Sequence, residues 1–350
     1  MPYAGLPDEA FWKLCRESAD RHLGSLYKPK FALAAGDRIA TAGSCFAQHF
    51  GKWVRNSNLQ LVEMEPKPAQ MSHEVARRFG YGVYSARYGN IYTARQLRQL
   101  VDDCRKSKTR REAIWEHGGR WYDGLRPQTE PEGYADLDEL HFHRKTHLSR
   151  VLEMFSKADV FVFTLGLTEA WSDRRSCTVF PMAPGVVAGQ FDAARHVFNN
   201  FSVAEVVSDL VHVIKRLKGL NKRMRILLTV SPVPLTATAS GRHVVEATTY
   251  SKSVLRVAAD EVARRFAHVD YFPSYEIITN PMFGSAFYDP NLRTVTEDGV
   301  QTVMSAFFGA HHDLQPSQTP IAVEQAPVST TADDDDLVCE EVLLEAFAQR

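Results

Sequence analysis

Short apolar runs alternate with amphipathic segments along most of the chain. The run at residues 159–165 is apolar on both faces, which is typical of a strand buried between two layers of helices. Together with the runs at residues 225–230 and 269–272 it predicts three strands. Each follows a segment in which apolar residues recur at helical spacing, and these segments cover residues 142–157, 202–217 and 251–266. The alternation predicts an α/β fold of three layers, α/β/α, with a mainly parallel sheet.

An earlier predicted strand, residues 38–42, changes to a helical pattern at Gly43. Apolar residues recur at helical spacing from there on, namely Phe46, Phe50, Trp53 and Val54. Ser44 and Cys45, both nucleophiles, therefore stand where a strand passes into a helix. The unpaired N–H groups and positive dipole end of that helix would stabilise an oxyanion or a thiolate. The structural alternative is a capping serine beside a small buried cysteine.

The same patterns predict the organisation of the chain. Residues 1–34 are expected to form a helical extension, and residues 35–312 the α/β domain, with a polar insertion at about 105–140. Residues 313–336 are rich in Pro, Thr, Ser and Ala and end in four aspartates, which is the composition of a flexible linker. Residues 337–350 are predicted to form a short helix.

Composition narrows the possible partners. A net charge of -1 gives no electrostatic reason to expect nucleic acid or an anionic membrane. We expect no signal peptide and no membrane span, because the apolar runs are only strand-sized. Five scattered cysteines without a C-x-x-C pair favour a reducing, cytoplasmic compartment and argue against structural zinc. Phosphate-cradling glycine motifs are missing, so no cofactor is expected.

Ligands of an open parallel sheet bind beyond the carboxyl ends of its strands. This rule selects Ser44 and Cys45 after the first strand. It also selects Thr168, Glu169 and Trp171 after the strand at 159–165. A carboxylate such as Glu169, directly after a fully apolar strand, is either a charge at a helix start or a site residue, and its position favours the site.

A nucleophile of this kind needs a base, which is usually histidine. His147 lies near the start of the predicted helix at 142–157, and His243 follows the strand at 225–230, so both are expected at this edge. Packing or surface exposure is the structural alternative for each. The spacing of His143 and His147 also suits a shared metal ion, but the neighbouring Arg144 would repel a dication, and no metal site is predicted.

Glycine and tyrosine are concentrated in residues 79–92, which are expected to form an ordered loop before a helix capped by Thr93. Arg87 and Asn90 in this loop could donate hydrogen bonds to an oxyanion or a sugar. Tyr84, together with Trp171, could supply a stacking surface for a sugar.

Residues 43–47 read Gly-Ser-Cys-Phe-Ala, and through them the sequence resembles the GSCFA-domain family. The resemblance extends to blocks at residues 79–92, 164–171, 231–234 and 250–252, and it covers roughly residues 35 to 310. That family is similar to the SGNH or GDSL hydrolases. The resemblance therefore implies a flavodoxin-like three-layer fold and an esterase or acyltransferase activity, often on carbohydrate.

The resemblance also implies roles for individual residues. Two registers of the GDSL motif are possible, one with Ser44 as the nucleophile and one with Cys45. Gly89 corresponds to the oxyanion glycine of the superfamily, and Thr168 stands where an amide donor is expected. The final superfamily block, Asp-x-x-His, departs most: the matching residues 288–295 contain an aspartate but no histidine.

These observations predict an SGNH-like ester hydrolase or O-acyltransferase that acts on a polar, carbohydrate-linked acyl ester. Ser44 or Cys45 would attack, and His147 or His243 would accept the proton. The backbone amides of Ser44 and Cys45, with Gly89 and Asn90, would hold the oxyanion. The alternative is a non-catalytic protein that binds a glycan or small ligand on a hydrolase fold that has lost its base.

Overall fold

The structure is a computed structural model that describes residues 1–18, 23–284, 286–311, 314 and 340–348. Within these residues the strands are, in chain order, β1 (Arg38–Gly43), β2 (Gln60–Leu61), β3 (Ile114–His117), β4 (Arg120–Asp123), β5 (Val160–Leu165), β6 (Glu169–Asp173), β7 (Val179–Phe180), β8 (His196–Asn200), β9 (Arg225–Val230) and β10 (Val269–Phe272). The α-helices are α1 (Trp12–Glu17), α2 (Phe46–Arg55), α3 (His73–Arg78), α4 (Ala94–Lys106), α5 (Leu137–Lys157), α6 (Val203–Leu220), α7 (Val244–Arg265), α8 (Ser274–Thr279) and α9 (Glu297–Ala310).

Five strands form a parallel sheet in the order β10-β9-β5-β1-β2. Counted along the chain, this is the 2-1-3-4-5 order of flavodoxin-like folds, so the predicted three-layer α/β fold is confirmed. The strand order reverses between β1 and β5, and an open sheet binds its ligands at that switch point. The ends of these two strands lie side by side, because Gly43 pairs with Thr164.

Side chains alternate between the two faces of β5, and each face packs on its own layer of helices. Phe161 and Phe163 belong to the cluster that includes α4, α5, α6 and α7. Val160 and Val162 belong to the cluster that includes α2, α8 and α9. Because both faces are covered, this strand is apolar throughout, as the sequence pattern predicted.

Two helices begin earlier than their apolar spacing indicated. The helix α5 starts at Leu137, with Asp136 as N-cap accepting from the amide of Glu139 (2.8 Å). The helix α7 starts at Val244, with His243 as N-cap. In both helices the first turns mix apolar residues with polar and charged ones, so the apolar spacing alone did not mark their starts.

Smaller elements surround the sheet. An antiparallel sheet of order β7-β6-β8 follows β5, and β3 and β4 form a hairpin inside the predicted insertion. In the predicted N-terminal extension, Tyr27 and Leu33 pack into the cluster of α9. Most of the predicted linker lies outside the described residues. The described part of the predicted terminal helix is a 3₁₀ helix, Glu340–Ala348.

Among the described residues, no helix is both long and apolar enough to span a bilayer.

Candidate functional site

The strand β1 ends in a glycine because β5 passes very close to it. Gly43 has a φ of +144°, and a Cβ added there would lie 2.4 Å from the carbonyl oxygen of Thr164. A side chain at this position would therefore clash with backbone. This close approach delivers Ser44 to the carboxyl edge of the sheet, at the switch point.

Ser44 is buried, with 3% of its surface exposed. Its Oγ has no hydrogen-bond partner among the described residues. Its backbone N–H donates to the carbonyl oxygen of Thr164 (3.2 Å). The expectation that this N–H serves an oxyanion is therefore wrong for this conformation, because β5 already takes it. Cys45 is also buried, its thiol forms no disulfide with another described residue, and α2 begins directly after it.

A cavity of about 10 Å³ surrounds the two nucleophiles. Its walls include Ser44, Cys45, Tyr92, Gly166, Ser231 and Lys252. Lys252 is only 2% exposed, and its Nζ donates to the carbonyl oxygen of Gly166 (2.6 Å). A buried lysine thus shares the cavity of the two predicted nucleophiles.

Gly166 fixes the distance between β5 and the turn formed by Gly43, Ser44 and Cys45, the nucleophile turn. A Cβ added at Gly166 would lie 2.9 Å from the Cβ of Ser44 and 3.1 Å from the carbonyl oxygen of Tyr92. The amide of Gly166 also donates to that oxygen (3.0 Å). The backbone of this residue therefore forms the wall against which Ser44 rests.

A larger cavity of about 190 Å³ adjoins the first and shares Tyr92, Leu167 and Leu235 with it. Glu169 and Trp171 line it, as the rule of strand ends predicted for this edge. Burial raises the pKa of Glu169, and its Oε1 accepts from the hydroxyl of Thr238 (2.7 Å). The cavity is otherwise mainly apolar, so it suits an apolar group with one polar anchor.

His147 does not lie near a helix start, as expected from sequence, because α5 begins ten residues before it. It is fully buried, and its Nδ1 lies 2.7 Å from Oε2 of Glu65. Its Nε2 has no partner among the described residues. The ring lines a separate cavity of about 30 Å³, together with Asn90 and Arg144. Within the described part of the chain, His147 thus lines a different cavity from Ser44.

Burial also dominates the electrostatics of the Glu65–His147 pair. The pKa of His147 is lowered to about 4 by burial and by the nearby Arg126. The Glu65 carboxylate raises the pKa of His147, but by less than burial and Arg126 lower it. Burial raises the pKa of Glu65, yet His147, Arg126 and the amide of Arg87 together bring it well below the usual range of a glutamate. The pair therefore combines a neutral imidazole with an ionised carboxylate at pH 7.

His243 lies at the predicted edge of the sheet, but on the surface. It is exposed, and its Nδ1 accepts from the amide of Val245 (3.2 Å), which makes it the N-cap of α7. The next residue, Val244, packs on the cluster of Tyr92 and Leu167. Among the residues that the structure describes, His243 is not part of the wall around Ser44.

Tyr84 and Arg87, in the glycine- and tyrosine-rich loop, are buried and bind other protein groups, so neither is exposed for a ligand in this conformation. Tyr84 is buried, and its hydroxyl lies 3.0 Å from the carbonyl oxygen of Ser44. The prediction that Tyr84 stacks on a sugar is therefore wrong for this conformation, because neither face of its ring is accessible. Arg87 is buried as well: its guanidinium donates to the carbonyl oxygens of Phe79 and Thr129 and pairs with Glu130 (2.7 Å).

Of the other predicted binding residues, Asn90 is buried and Gly89 is half-buried, and both lie close to the nucleophile turn. Gly89 has a φ of +69°, which turns the chain before Asn90, whose Oδ1 accepts from the hydroxyl of Tyr84. The following residue, Ile91, donates its amide to the carbonyl oxygen of Gly43 (2.8 Å).

Thr168 was predicted as an amide donor. Its backbone N–H donates to the hydroxyl of Ser251 (2.9 Å), and its own hydroxyl donates to Oδ1 of Asn200 (2.6 Å). Both donors are therefore occupied in this conformation.

Lys252 was missed in the search for site residues, although the sequence contains a signal for it. Apolar residues recur at helical spacing after it, at Val254, Leu255, Ala258, Ala259 and Val262. That spacing places Lys252 on the buried side of α7, where a lysine is rare unless it has a role. Glu65 was also missed, since the two-residue strand β2 before it is too short to recognise.

The block without histidine does approach this region. Tyr288 donates its hydroxyl to the carbonyl oxygen of Pro232 (2.8 Å), and it pairs with Val295 in an isolated bridge. Pro232 directly follows Ser231, a wall residue of the Ser44 cavity. Among the described residues, no group of three or more His, Cys, Asp or Glu side chains is arranged to hold a metal ion.

One family model matches most of the chain. The model of the GSCFA family matches residues 38–307. None of the curated proteins compared with the chain matches it significantly.

Solved structures give weak matches. A mutant acetyl esterase with an acetate ion is 9% identical, with a TM-score of 0.33, and the match covers 77% of this chain and 93% of that one. A putative GDSL-like lipase from Parabacteroides merdae is 12% identical, with a TM-score of 0.36, covering 81% and 99%. An acetyl xylan esterase from the rumen bacterium Butyrivibrio proteoclasticus is 11% identical, with a TM-score of 0.26, covering 69% and 56%. At these scores the matches carry no argument about the reaction, which must come from the chain's own residues.

Proposed function

This chain belongs to the GSCFA family, and we propose that it hydrolyses or transfers a short acyl ester with Ser44 as the nucleophile. One observation carries the proposal. The Oγ of Ser44 has no hydrogen-bond partner among the described residues, and it lies in a cavity at the switch point of the sheet. A buried hydroxyl without a partner costs free energy, and a catalytic role is one explanation for such a group.

Cys45 is the rival nucleophile, because it lines the same cavity. We favour Ser44, whose unpartnered oxygen is free to attack a carbonyl carbon. In that step the bond from Oγ to the carbonyl carbon forms, and the bond to the alcohol oxygen then breaks. Water or an acceptor hydroxyl releases the acyl group from Oγ in the second half of the reaction.

The adjoining cavity supports a small substrate. Its volume of about 190 Å³ is below the range usual for drug-sized ligands, so it favours an acetyl or similarly short acyl group. Trp171 in its wall packs edge-to-face on Phe198 (5.6 Å between ring centroids). An indole at the wall of such a cavity suits a sugar, so we propose a carbohydrate-linked ester.

The test is hydrolysis of 4-nitrophenyl esters of increasing chain length by the full chain. We expect acetate to be cleaved faster than butyrate, and octanoate to be cleaved poorly. S44A should lose activity by a factor of about 10³ or more, whereas C45A should stay within a few-fold of the parent. C104A, which removes another buried thiol, is the control for C45A. Equal rates for S44A and the parent would overturn the proposal.

The histidine predictions are tested in the same assay. Neither His147 nor His243 lines the described wall of the Ser44 cavity, so the proposal assigns the proton to neither. H243A should retain the parent rate, because the side chain is exposed. H147Q tests the buried pair. A loss of several hundred-fold in H147Q without a loss of folding would instead support His147 as the base.

The second candidate function is binding without catalysis. It is favoured by the lack of histidine in residues 288–295. In that case the parent would show no hydrolysis above buffer, while a short acyl sugar would still raise its thermal unfolding midpoint, and a substitution in the larger cavity, L167W, would abolish that shift.

A further inference from the structure

Lys252 is an amine enclosed in the cavity of the predicted nucleophile. It is 2% exposed and contributes to the same wall as Ser44 and Cys45. Burying a lysine is costly, so buried lysines are rare in folded proteins. A structural contact alone could be made by a smaller neutral donor, so the choice of lysine calls for an explanation.

Two neighbouring residues of α7 form hydrogen bonds with the turn between β5 and β6. Ser251 accepts from the amide of Thr168 (2.9 Å), and Lys252 Nζ donates to the carbonyl oxygen of Gly166 (2.6 Å). Gly166 in turn is the residue whose added Cβ would meet the Cβ of Ser44 at 2.9 Å. The amine is therefore held on the very residue against which the nucleophile packs.

We propose that Lys252 is the proton acceptor for Ser44, in place of the histidine that residues 288–295 lack. The inference rests on the proposed role of Ser44 as nucleophile. Among the described wall residues of the cavity, Lys252 is the side chain that can act as a base of suitable strength. The other titratable groups facing it are the thiol of Cys45 and the phenol of Tyr92. A lysine that acts as a general base is known chemistry for buried amines.

The step balances as follows. The unprotonated Nζ takes the hydroxyl proton as Oγ of Ser44 bonds to the ester carbonyl carbon. The ammonium so formed gives this proton to the alcohol oxygen when the bond between carbonyl carbon and alcohol oxygen breaks. Water then adds to the acyl-serine, its proton passes to Nζ, and the Ser44 hydroxyl recovers a proton as the acid leaves.

Proton transfer needs a short path between the two groups. Ser44 Oγ is unpartnered in this conformation, so Nζ must approach it or act through a water molecule. The cavity of about 10 Å³ is close to the smallest that holds one water.

The test measures the rate at which a fluorophosphonate probe labels Ser44 in three variants of the full chain. K252M removes the amine but keeps an unbranched apolar side chain. K252R keeps a positive charge but cannot act as a base, since its guanidinium stays protonated. The matched control is K218M, since Lys218 also donates from a helix to a backbone carbonyl, that of Met224 (3.2 Å), at the opposite edge of the sheet.

We expect labelling of K252M and K252R to fall by about 100-fold or more, while K218M labels like the parent. The labelling rate of the parent should rise with pH as a single group loses its proton. The residual labelling rate of K252M should not show this rise. The thermal unfolding midpoint, measured for each variant, shows whether it is folded.

Three outcomes would overturn the inference. The first is labelling of K252M at the parent rate. The second is labelling of K252R at the parent rate, which would show that a positive charge suffices. The third is a folded K252M that labels more slowly but keeps the pH profile of the parent, which would indicate that Lys252 has a purely structural role. All three leave Ser44 as the labelled residue. Failure of the proposed function differs, because then the parent itself would not be labelled at Ser44.

Discussion

Ser44 is held by close contacts with two neighbouring residues, Gly166 and Tyr84. The backbone of Gly166 lies against the Cβ of Ser44 without room for a methyl group. The hydroxyl of Tyr84 holds the carbonyl oxygen of the same serine from the other side (3.0 Å). Contacts on the Cβ and on the backbone carbonyl of Ser44 thus hold this residue at the cavity wall.

The first prediction concerns Gly166→Ala. The added Cβ would lie 2.9 Å from Ser44 Cβ, so the serine must move. We expect a loss of about 1–3 kcal/mol in the free energy of unfolding and a drop of at least about tenfold in labelling at Ser44. Gly219→Ala in α6 is the control, since a Cβ there meets nothing within 4 Å. Parent-like labelling of the folded Gly166→Ala variant would contradict the described contact.

The second prediction concerns acid stability. The pKa of His147 is lowered from its ordinary 6.5 to about 4, so between these values the unfolded chain binds a proton that the folded one does not. The contribution of His147 to the free energy of unfolding is therefore complete above pH 6.5 and falls as the pH drops towards 4. Glu65 adds a further loss below the ordinary glutamate range, because its pKa is lowered in the folded state.

Chemical unfolding between pH 7 and 4.5 checks this prediction. The slope of unfolding free energy against pH should be smaller in H147Q than in the parent, by up to about 1.4 kcal/mol per pH unit. The pKa values of His196 and His268 are also lowered by burial, and both contribute equally in the two proteins. An identical slope in H147Q would contradict a neutral buried His147.

The place of part of the candidate site followed from the sequence, for physical reasons. Ser44 and Glu169 were assigned to one edge because parallel strands end together there. His147 was misplaced because the polar first turns of α5 hid the start of that helix. Tyr84 looked available because aromatic residues in a loop resemble a binding surface, whereas here the loop itself is buried. Lys252 was overlooked because a search for bases considered histidine first.

At the scale of elements, α7 connects the core to the site. Its apolar side packs on the sheet, with Leu255 and Ala259 fully buried. Its first turns carry Ser251 and Lys252 to the turn between β5 and β6. Any shift of this helix would therefore move Gly166 and, through it, the nucleophile.

The third prediction tests this fastening with two serines of the same helix. S251A would leave the amide of Thr168, which is buried, without its partner. We expect a loss of about 1–3 kcal/mol in the free energy of unfolding. S253A, two residues along and exposed, should change it by no more than about 0.5 kcal/mol. Both values come from urea unfolding, and equal stabilities of the two variants would show that α7 does not hold the turn.

Strands with a long apolar run were predicted well, and short strands were not. The strand β9 was predicted with the bounds it has, because its apolar run ends sharply. The antiparallel sheet of β6, β7 and β8 was not predicted. Two of its strands have five residues and one has two, which is too few to show a clear alternation of apolar and polar positions.

At the scale of the whole molecule, the order of the sheet explains where the candidate site lies. The reversal of strand order between β1 and β5 opens a crevice at their carboxyl ends. The nucleophile turn lies on one side of that crevice and the turn after β5 on the other, and two adjoining cavities occupy it. The alternation of strands and helices in the sequence predicted the parallel sheet and its carboxyl edge, whereas the strand order and the cavities come from the structure.

The central claim is that Ser44 is the attacking residue. The most direct measurement is to treat the parent, S44A and C45A with a fluorophosphonate probe and to map the modified peptide by mass spectrometry. We predict one adduct on Ser44 in the parent and in C45A, and none in S44A. An unmodified parent, or an adduct that persists in S44A, would contradict the claim.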